Sequence, residues 1–274
     1  MTPQHDWFKI LNNCKNNVEK AIKPHLKTLN EPQPDLGKGA GGDAMKPVDL
    51  AAEKAIVDTL QNYNVSFSLI SEESGFEKYG NNPEECYITI DPIDGTTNLL
   101  RGLPFYASSI AVSRKPVIVE IYAALVADLY HDITYIAQEN RGAYRGSEKI
   151  KTSQVSSLQE AVLGMDLNTY KVAEIAPKLT DLIQQTKHIR HYGANALELC
   201  YVANGLTDAF VDIRGKLRTT DVAAGFLIIK EAGGLITDIH KQPINVKLDP
   251  KQTIEFVASG NAKLHDTILG LVKH

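Results

Sequence analysis

The feature that most constrains this chain is the point where the run Cys86-Tyr-Ile-Thr-Ile90 stops at Asp91-Pro92-Ile93-Asp94-Gly95-Thr96-Thr-Asn98. A β-rich apolar segment that ends in carboxylates, Pro and Gly reads as a buried strand delivering two acids into a cleft. Pro92 fixes φ and donates no N–H, while Gly95 lets the chain turn so that the amides of Gly95 and Thr96 can face an anion. Carboxylates suited to a hard cation thus stand beside amides suited to a phosphate. Taken alone, Asp91 and Asp94 would equally serve an Asx-type turn.

The full string from Asp91 to Asn98 resembles the signature of the inositol monophosphatase superfamily, the magnesium-dependent, lithium-sensitive sugar phosphatases. Two further stretches share the resemblance. Phe67-Ser-Leu-Ile-Ser-Glu72-Glu73-Ser-Gly75 is a short strand ending in acids and a glycine, similar to the family's Glu-Glu pair, whose first member coordinates metal. Thr219-Thr220-Asp221-Val-Ala-Ala-Gly225, followed by Glu231-Ala-Gly-Gly234, is similar to the second signature, Trp-Asp-x-x-Ala-Gly, with Thr220 in place of the Trp. Without the resemblance, Asp221 reads as a helix N-cap, and Glu72 and Glu73 as solvated acids in a turn.

At 274 residues the chain can bury a substantial core, as one large domain or two intimate lobes. With 29 Lys and Arg against 33 Asp and Glu, the formal charge of −4 provides no global field for nucleic acid, so a bound phosphate needs local cations. Cys14, Cys86 and Cys200 are odd in number and widely spaced, which indicates neither a disulfide framework nor a zinc site. The N-terminal residues carry no signal-peptide pattern, and no run reaches the ~18 apolar residues of a membrane span. A cytoplasmic protein without a membrane partner is expected.

In chain order, Trp7, Leu11, Cys14, Val18, Ala21, Ile22 and Leu29 predict an amphipathic helix over about the first 25 residues, with Pro24 bending its last turns. Residues 31–42, with Pro32, Pro34 and several glycines, read as a mobile loop. Within it Gly37-Lys-Gly39-Ala-Gly41-Gly42 fits G-x-G-x-x-G, but no strand precedes it, so a dinucleotide fingerprint is rejected. Asp43 to Asp49 leads into an N-capped helix. Strands at 107–112, 117–126 and 133–137 form an antiparallel meander, followed by a hairpin at 140–146. Further strands at 161–165, 189–192 and 209–213 alternate with helices at 172–186, 193–204 and 217–231. Nothing is assigned beyond Gly234.

The resemblance implies an α/β (α+β) fold, layered as an αβαβα sandwich, in one domain of two intimate lobes (residues 1–155 and 156–274) and usually dimeric. It implies a metal site built from Glu72, Asp91, Asp94, Asp221 and the backbone carbonyl of Ile93. Oxygen donors without His or Cys select magnesium, or manganese, over zinc, and this many carboxylates require two or three cations. The implied reaction is phosphomonoester hydrolysis by in-line attack of a metal-activated water. Glu72 and the Thr96 hydroxyl would orient the water, and Asp49 would bind a weaker third metal or its water. Asp94, the amides of Gly95 and Thr96, and Asn195 would contact substrate. Asp43 and Asp49 fall on the family's two loop-to-helix aspartates, although the usual Thr before the second is absent.

The expected substrate is a small phosphorylated sugar or polyol. In animal inositol monophosphatases an acid seven positions before the second-signature Asp bonds the inositol hydroxyls; here that position is Arg214. With Arg190 as a second cation, the pair suits a second phosphate and resembles archaeal enzymes acting on fructose 1,6-bisphosphate and inositol 1-phosphate. The alternatives are a 3'(2'),5'-bisphosphate nucleotidase of the same superfamily and a catalytically silent, metal-stabilised binding protein.

Overall fold

The computed structural model describes residues 5–27, 34–167 and 170–272, so the expectations that involve Leu29 and Pro32 fall outside it. The first helix, α1 (Trp7–Ile22), forms because Trp7, Ile10, Leu11, Cys14, Val18 and Ile22 share one buried stripe, and Asp6 caps it by accepting the Lys9 N–H at 3.2 Å. Each large apolar side chain buried in this way contributes ~1.5–3 kcal/mol. The helix stops at Ile22, so Pro24 follows it rather than bending it, in the turn before a 3-10 segment, His25–Lys27. The next helix, α2 (Pro47–Asn62), packs beside α1 on one face of a large sheet.

That sheet comprises β1 (Phe67–Ser71), β2 (Gly75–Tyr79), β3 (Tyr87–Asp94), β4 (Ala107–Ser113), β5 (Ile121–Asp128), β6 (Ile133–Gln138), β7 (Gly142–Arg145) and β8 (Glu148–Lys149), with a short helix, α3 (Thr96–Arg101), after β3. Its order is β2-β1-β3-β4-β5-β6-β7-β8. The β1–β3 pair is parallel and the β3 to β8 run is an antiparallel meander. Residues 117–120 are not the start of a strand: Ile118–Glu120 is a 3-10 turn, and the Ile118 N–H donates to Val246 O at 3.0 Å instead of to a sheet neighbour.

The second sheet has the order β10-β9-β11-β13-β12 and comprises β9 (Val162–Met165), β10 (His188–Arg190), β11 (Ala209–Arg218), β12 (Leu235–Thr237) and β13 (Thr253–Ser259). Around it lie α4 (Val172–Gln185), α5 (Asn195–Ala203), α6 (Thr219–Glu231) and α7 (Ala262–Leu271). Period-2 alternation assigns the faces: Phe210, Phe256 and Ala258 join the core shared with α5, α6 and the first sheet, while Val211 and Val257 face α4 and α7. Likewise Leu69 faces α1 and α2, and Ile70 faces the central core. The layers therefore run α1/α2, sheet, α5/α6, sheet, α4/α7, an αβαβα sandwich. The C-terminal strands and α7, to which sequence gave no assignment, complete the second sheet and its cover.

As the middle layer, α6 buries every residue from Thr219 to Ile229. A Cβ at its Gly225 would lie 2.5 Å from Leu199 Cδ1 and 2.6 Å from Leu199 Cβ on α5, so only glycine permits this helix crossing. Gly225→Val is expected to lower unfolding free energy by ~1–3 kcal/mol through overpacking. Gly270→Ala, in α7 with open space around the added methyl, is expected to be neutral to stabilising by ~0.5–1 kcal/mol. Equal urea midpoints for the two variants would contradict this packing.

Candidate active site

Three separate elements bring their acids to one point. Because β1 and β3 are parallel with Ser71 paired to Ile90, the residues that follow, Glu72 and Asp91, emerge side by side. The first turn of α6 adds Asp221, and oxygen atoms of Glu72, Asp91 and Asp221 lie within 4.8 Å of one another. Asp91 and Asp94 would point to opposite faces of a regular strand. A β-bulge prevents this: Asp91 pairs with Ser109 and Asp94 with Ala107, so β3 holds one extra residue around Pro92 and Ile93, and both acids line the same cavity.

The cavity has a volume of about 650 Å³ and is lined by eight carboxylates and five cations. Asp94 uses both oxygens at the N-terminus of α5, accepting the Asn195 N–H at 3.0 Å and the Ala196 N–H at 2.7 Å. The Thr96 hydroxyl lies 2.8 Å from Ile93 O and 3.2 Å from Asp49 Oδ1. Gly95, at φ +84, opens α3 on the cavity, and a Cβ there would lie 2.8 Å from Phe105 O. Oδ1 of Asn195 and Oε2 of Glu73 are buried without a protein partner among the described residues, and both residues line the cavity.

Two helix-capping expectations shift by one turn. Asp49 and Asp221 are not N-caps but third residues of α2 and α6. Their carboxylates accept the N–H of the true caps, Lys46 at 3.2 Å and Arg218 at 2.9 Å. The described part of the loop before α2 folds back through a Lys38–Ala44 bridge, with the Ala40 and Gly41 amides donating to Glu73 O and Glu72 O at 2.9 and 2.8 Å. Its glycines serve this close approach: a Cβ at Gly39 or Gly41 would come within 2.9 Å of Glu72.

The arginines expected to meet substrate fare differently. Arg190 is exposed on the edge strand β10, donates to Ile189 O at 2.9 Å and is not among the cavity residues. Arg214 reaches the cavity wall but is buried and already paired, with Nη2 2.6 Å from Asp166 Oδ2 and 2.5 Å from Asp212 Oδ2, while Nη1 has no hydrogen-bond partner among the described residues. The sequence reading missed Asp166, Lys216, Arg218 and Lys251. Arg218 carried one signal, its position three residues before Asp221, the spacing of a helix cap to its acid.

Burial first, and mutual repulsion second, hold these carboxyls above the ordinary range. Glu72 is pushed up to about 8 by desolvation and then by Asp221, Asp94 to about 7 by the same two causes, and Asp49 to about 7 by desolvation. A carboxyl whose folded pKa exceeds its unfolded value of ~4 favours folding fully below that value and loses the contribution as pH rises through the folded pKa. Protein stripped of metal is therefore expected to fall in Tm as pH rises from about 4 to about 8, where the loss is complete, and Glu72→Gln to flatten the fall. Thermal scans showing a level profile in the parent would contradict the crowding.

A family model, the inositol monophosphatase family, matches residues 5–274. The chain is 33% identical to the bifunctional NADP phosphatase/NAD kinase of Methanococcus maripaludis over 97% of its own length, and spans 49% of that relative. It is 32% identical to the fructose-1,6-bisphosphatase/inositol-1-monophosphatase of Methanothermobacter thermautotrophicus, with 96% of this chain and 95% of the relative covered. A solved inositol monophosphatase-fructose 1,6 bisphosphatase matches it with a TM-score of 0.84 at 30% identity, covering 97% of this chain and 100% of the other. The acids gathered at the ends of β1 and β3 and the start of α6 thus sit in a chain that belongs to the inositol monophosphatase family.

Proposed function

We propose that this chain is a magnesium-dependent phosphomonoesterase acting on a small phosphorylated sugar or polyol. The observation that carries the reading is the convergence of Glu72, Asp91 and Asp221 on one cavity floor. The donor set is all oxygen, as a hard divalent cation requires, and the unpartnered Glu73 Oε2 nearby fits the same demand. Fully ionised, eight acids against five cations leave the lining at 5 − 8 = −3, and two divalent ions would turn it to +1, a sign that favours a phosphate. When bound, the metal supplies the Lewis acidity that activates water and neutralises phosphoryl oxygens.

The protein's own groups supply the remainder. Glu72, Asp91 and Asp221 would hold the ions, with Asp94 and the Ile93 carbonyl beside them. The amides of Gly95 and Thr96 hold the phosphate. The Thr96 hydroxyl joins the cavity to Asp49 Oδ1, where a carboxyl pushed up to about 7 can take a proton near neutral pH. At the sugar end, Arg214 is not the lone guanidinium that sequence suggested, because Asp166 and Asp212 compensate its charge. A second phosphate would meet Lys216 and Lys251, with Arg214 buried in the wall behind them and paired to Asp166 and Asp212. This supports fructose 1,6-bisphosphate and inositol 1-phosphate as substrates. The relative named for NADP phosphatase favours NADP as a second candidate.

A phosphate-release screen over fructose 1,6-bisphosphate, inositol 1-phosphate, NADP and adenosine 3',5'-bisphosphate, with and without magnesium, tests the reading; no release from any would overturn it. Asp91→Asn is expected to lower turnover by roughly two orders of magnitude or more while far-UV circular dichroism stays native. Lys216→Ala combined with Lys251→Ala is expected to raise KM for fructose 1,6-bisphosphate roughly tenfold and to leave inositol 1-phosphate nearly unaffected. Equal losses on both would remove these lysines from the second-phosphate site.

A further inference from the structure

We propose that Arg218 is a positioning residue that competes with the divalent cation for Glu72 and Asp221, and so sets how much metal the centre needs. The proposal rests on the metal reading of the site and adds to it a resident cation. The Arg218 guanidinium lies among the ligand carboxylates themselves: Nη2 is 2.7 Å from Glu72 Oε1 and Nε is 3.5 Å from Asp221 Oδ1. Its side chain is 15% exposed and that of Glu72 13%, so neither charge is well screened by water. An oxygen that accepts a charge-assisted hydrogen bond at this distance gives up a lone-pair direction that a metal would use.

The other side of the guanidinium has a different anchor. Nη1 lies 3.0 Å from Asp43 Oδ2 and donates to Gly41 O at 3.3 Å, both in the loop before α2. This approach depends on glycine, because a Cβ at Gly41 would collide with the guanidinium. Arg218 can therefore leave Glu72 and keep its hold on the loop, which the Ala40 and Gly41 amides tie to Glu73 O and Glu72 O. Three carboxylates on three elements would otherwise repel one another across the floor, and a cation tethered to α6 holds them in reach. The same attraction opposes the metal, since two cations cannot share Glu72 Oε1 without repulsion.

The test is calorimetric titration of Mg²⁺ into parent, Arg218→Met and Arg218→Lys proteins without substrate, paired with thermal scans. Arg218→Met is expected to bind Mg²⁺ about tenfold more tightly than the parent, the equivalent of ~1.4 kcal/mol. Its metal-free Tm is expected to fall below the parent's and to rise further on Mg²⁺ addition. Arg218→Lys, which keeps the charge but not the fork, is expected to tighten binding about threefold. Unchanged or weaker binding in the variants would overturn the proposal and make Arg218 a structural clamp. If Arg218→Met does not fold, Arg218→Lys decides alone, since absence of tightening there is equally fatal. No Mg²⁺ binding by the parent at all would instead overturn the metal centre.

Discussion

Like charge held out of water is the constraint around which this molecule is arranged. Glu72, Asp91, Asp94 and Asp221 are gathered where desolvation raises every one whose shift is resolved, and no fold keeps such a group together without compensation. Much of the compensation comes from helix starts. Asp94 receives the first amides of α5, while Asp49 and Asp221 receive the cap amides of α2 and α6. Three helices thus direct the positive ends of their dipoles toward the acids. Arg218 adds a full charge.

The architecture makes that convergence possible. A parallel β1–β3 pair is the one way the first sheet places two strand ends side by side, and it occurs once, at the site. The central helix α6 is buried on all sides between the sheets, so Asp221 at its start is fixed by packing rather than by a loop. Irregularities in two strands do the aiming. The bulge in β3 turns Asp91 and Asp94 to one side, and the register break in β11 between Asp212 and Leu217 presents Arg214 and Lys216 to the cavity.

The distorted stretch of β11 deserves comparison with its neighbours in charge. Arg214 turns to Asp166 and Asp212, Lys216 faces the cavity, and Arg218 joins the acidic floor. Alternate residues of one strand therefore carry three cations with three different partners. Selectivity in this pocket is a matter of which cation retains unsatisfied donors, and counting arginines in the sequence does not answer that.

The sequence by itself pointed to Asp91 and Asp94 and, through its family resemblance, to the other acids and the layers. An apolar run leading into Asp91-Pro-Ile-Asp94-Gly marks a strand that delivers carboxylates at its end, although the structure carries β3 through a bulge as far as Asp94, and alternating helical and strand periods made the second half α/β. Local pattern also identified α1, the start of α2 and the meander to within a few residues, since hydrophobic period is a local property. Tertiary structure alone decided the partners. Arg214 and Arg190 look alike in sequence, yet one is buried between two acids and the other exposed at a sheet edge, because charge pairing depends on what the second sheet brings near. Arg218 gave no more than its cap spacing to Asp221 for the same reason: its contacts, Asp43 and Glu72, lie well over a hundred residues away in the chain and meet it only when the end of β11 reaches the cavity floor. Spacing reports the residues that share a face, whereas long-range Coulombic contacts exist only after the chain has closed on itself.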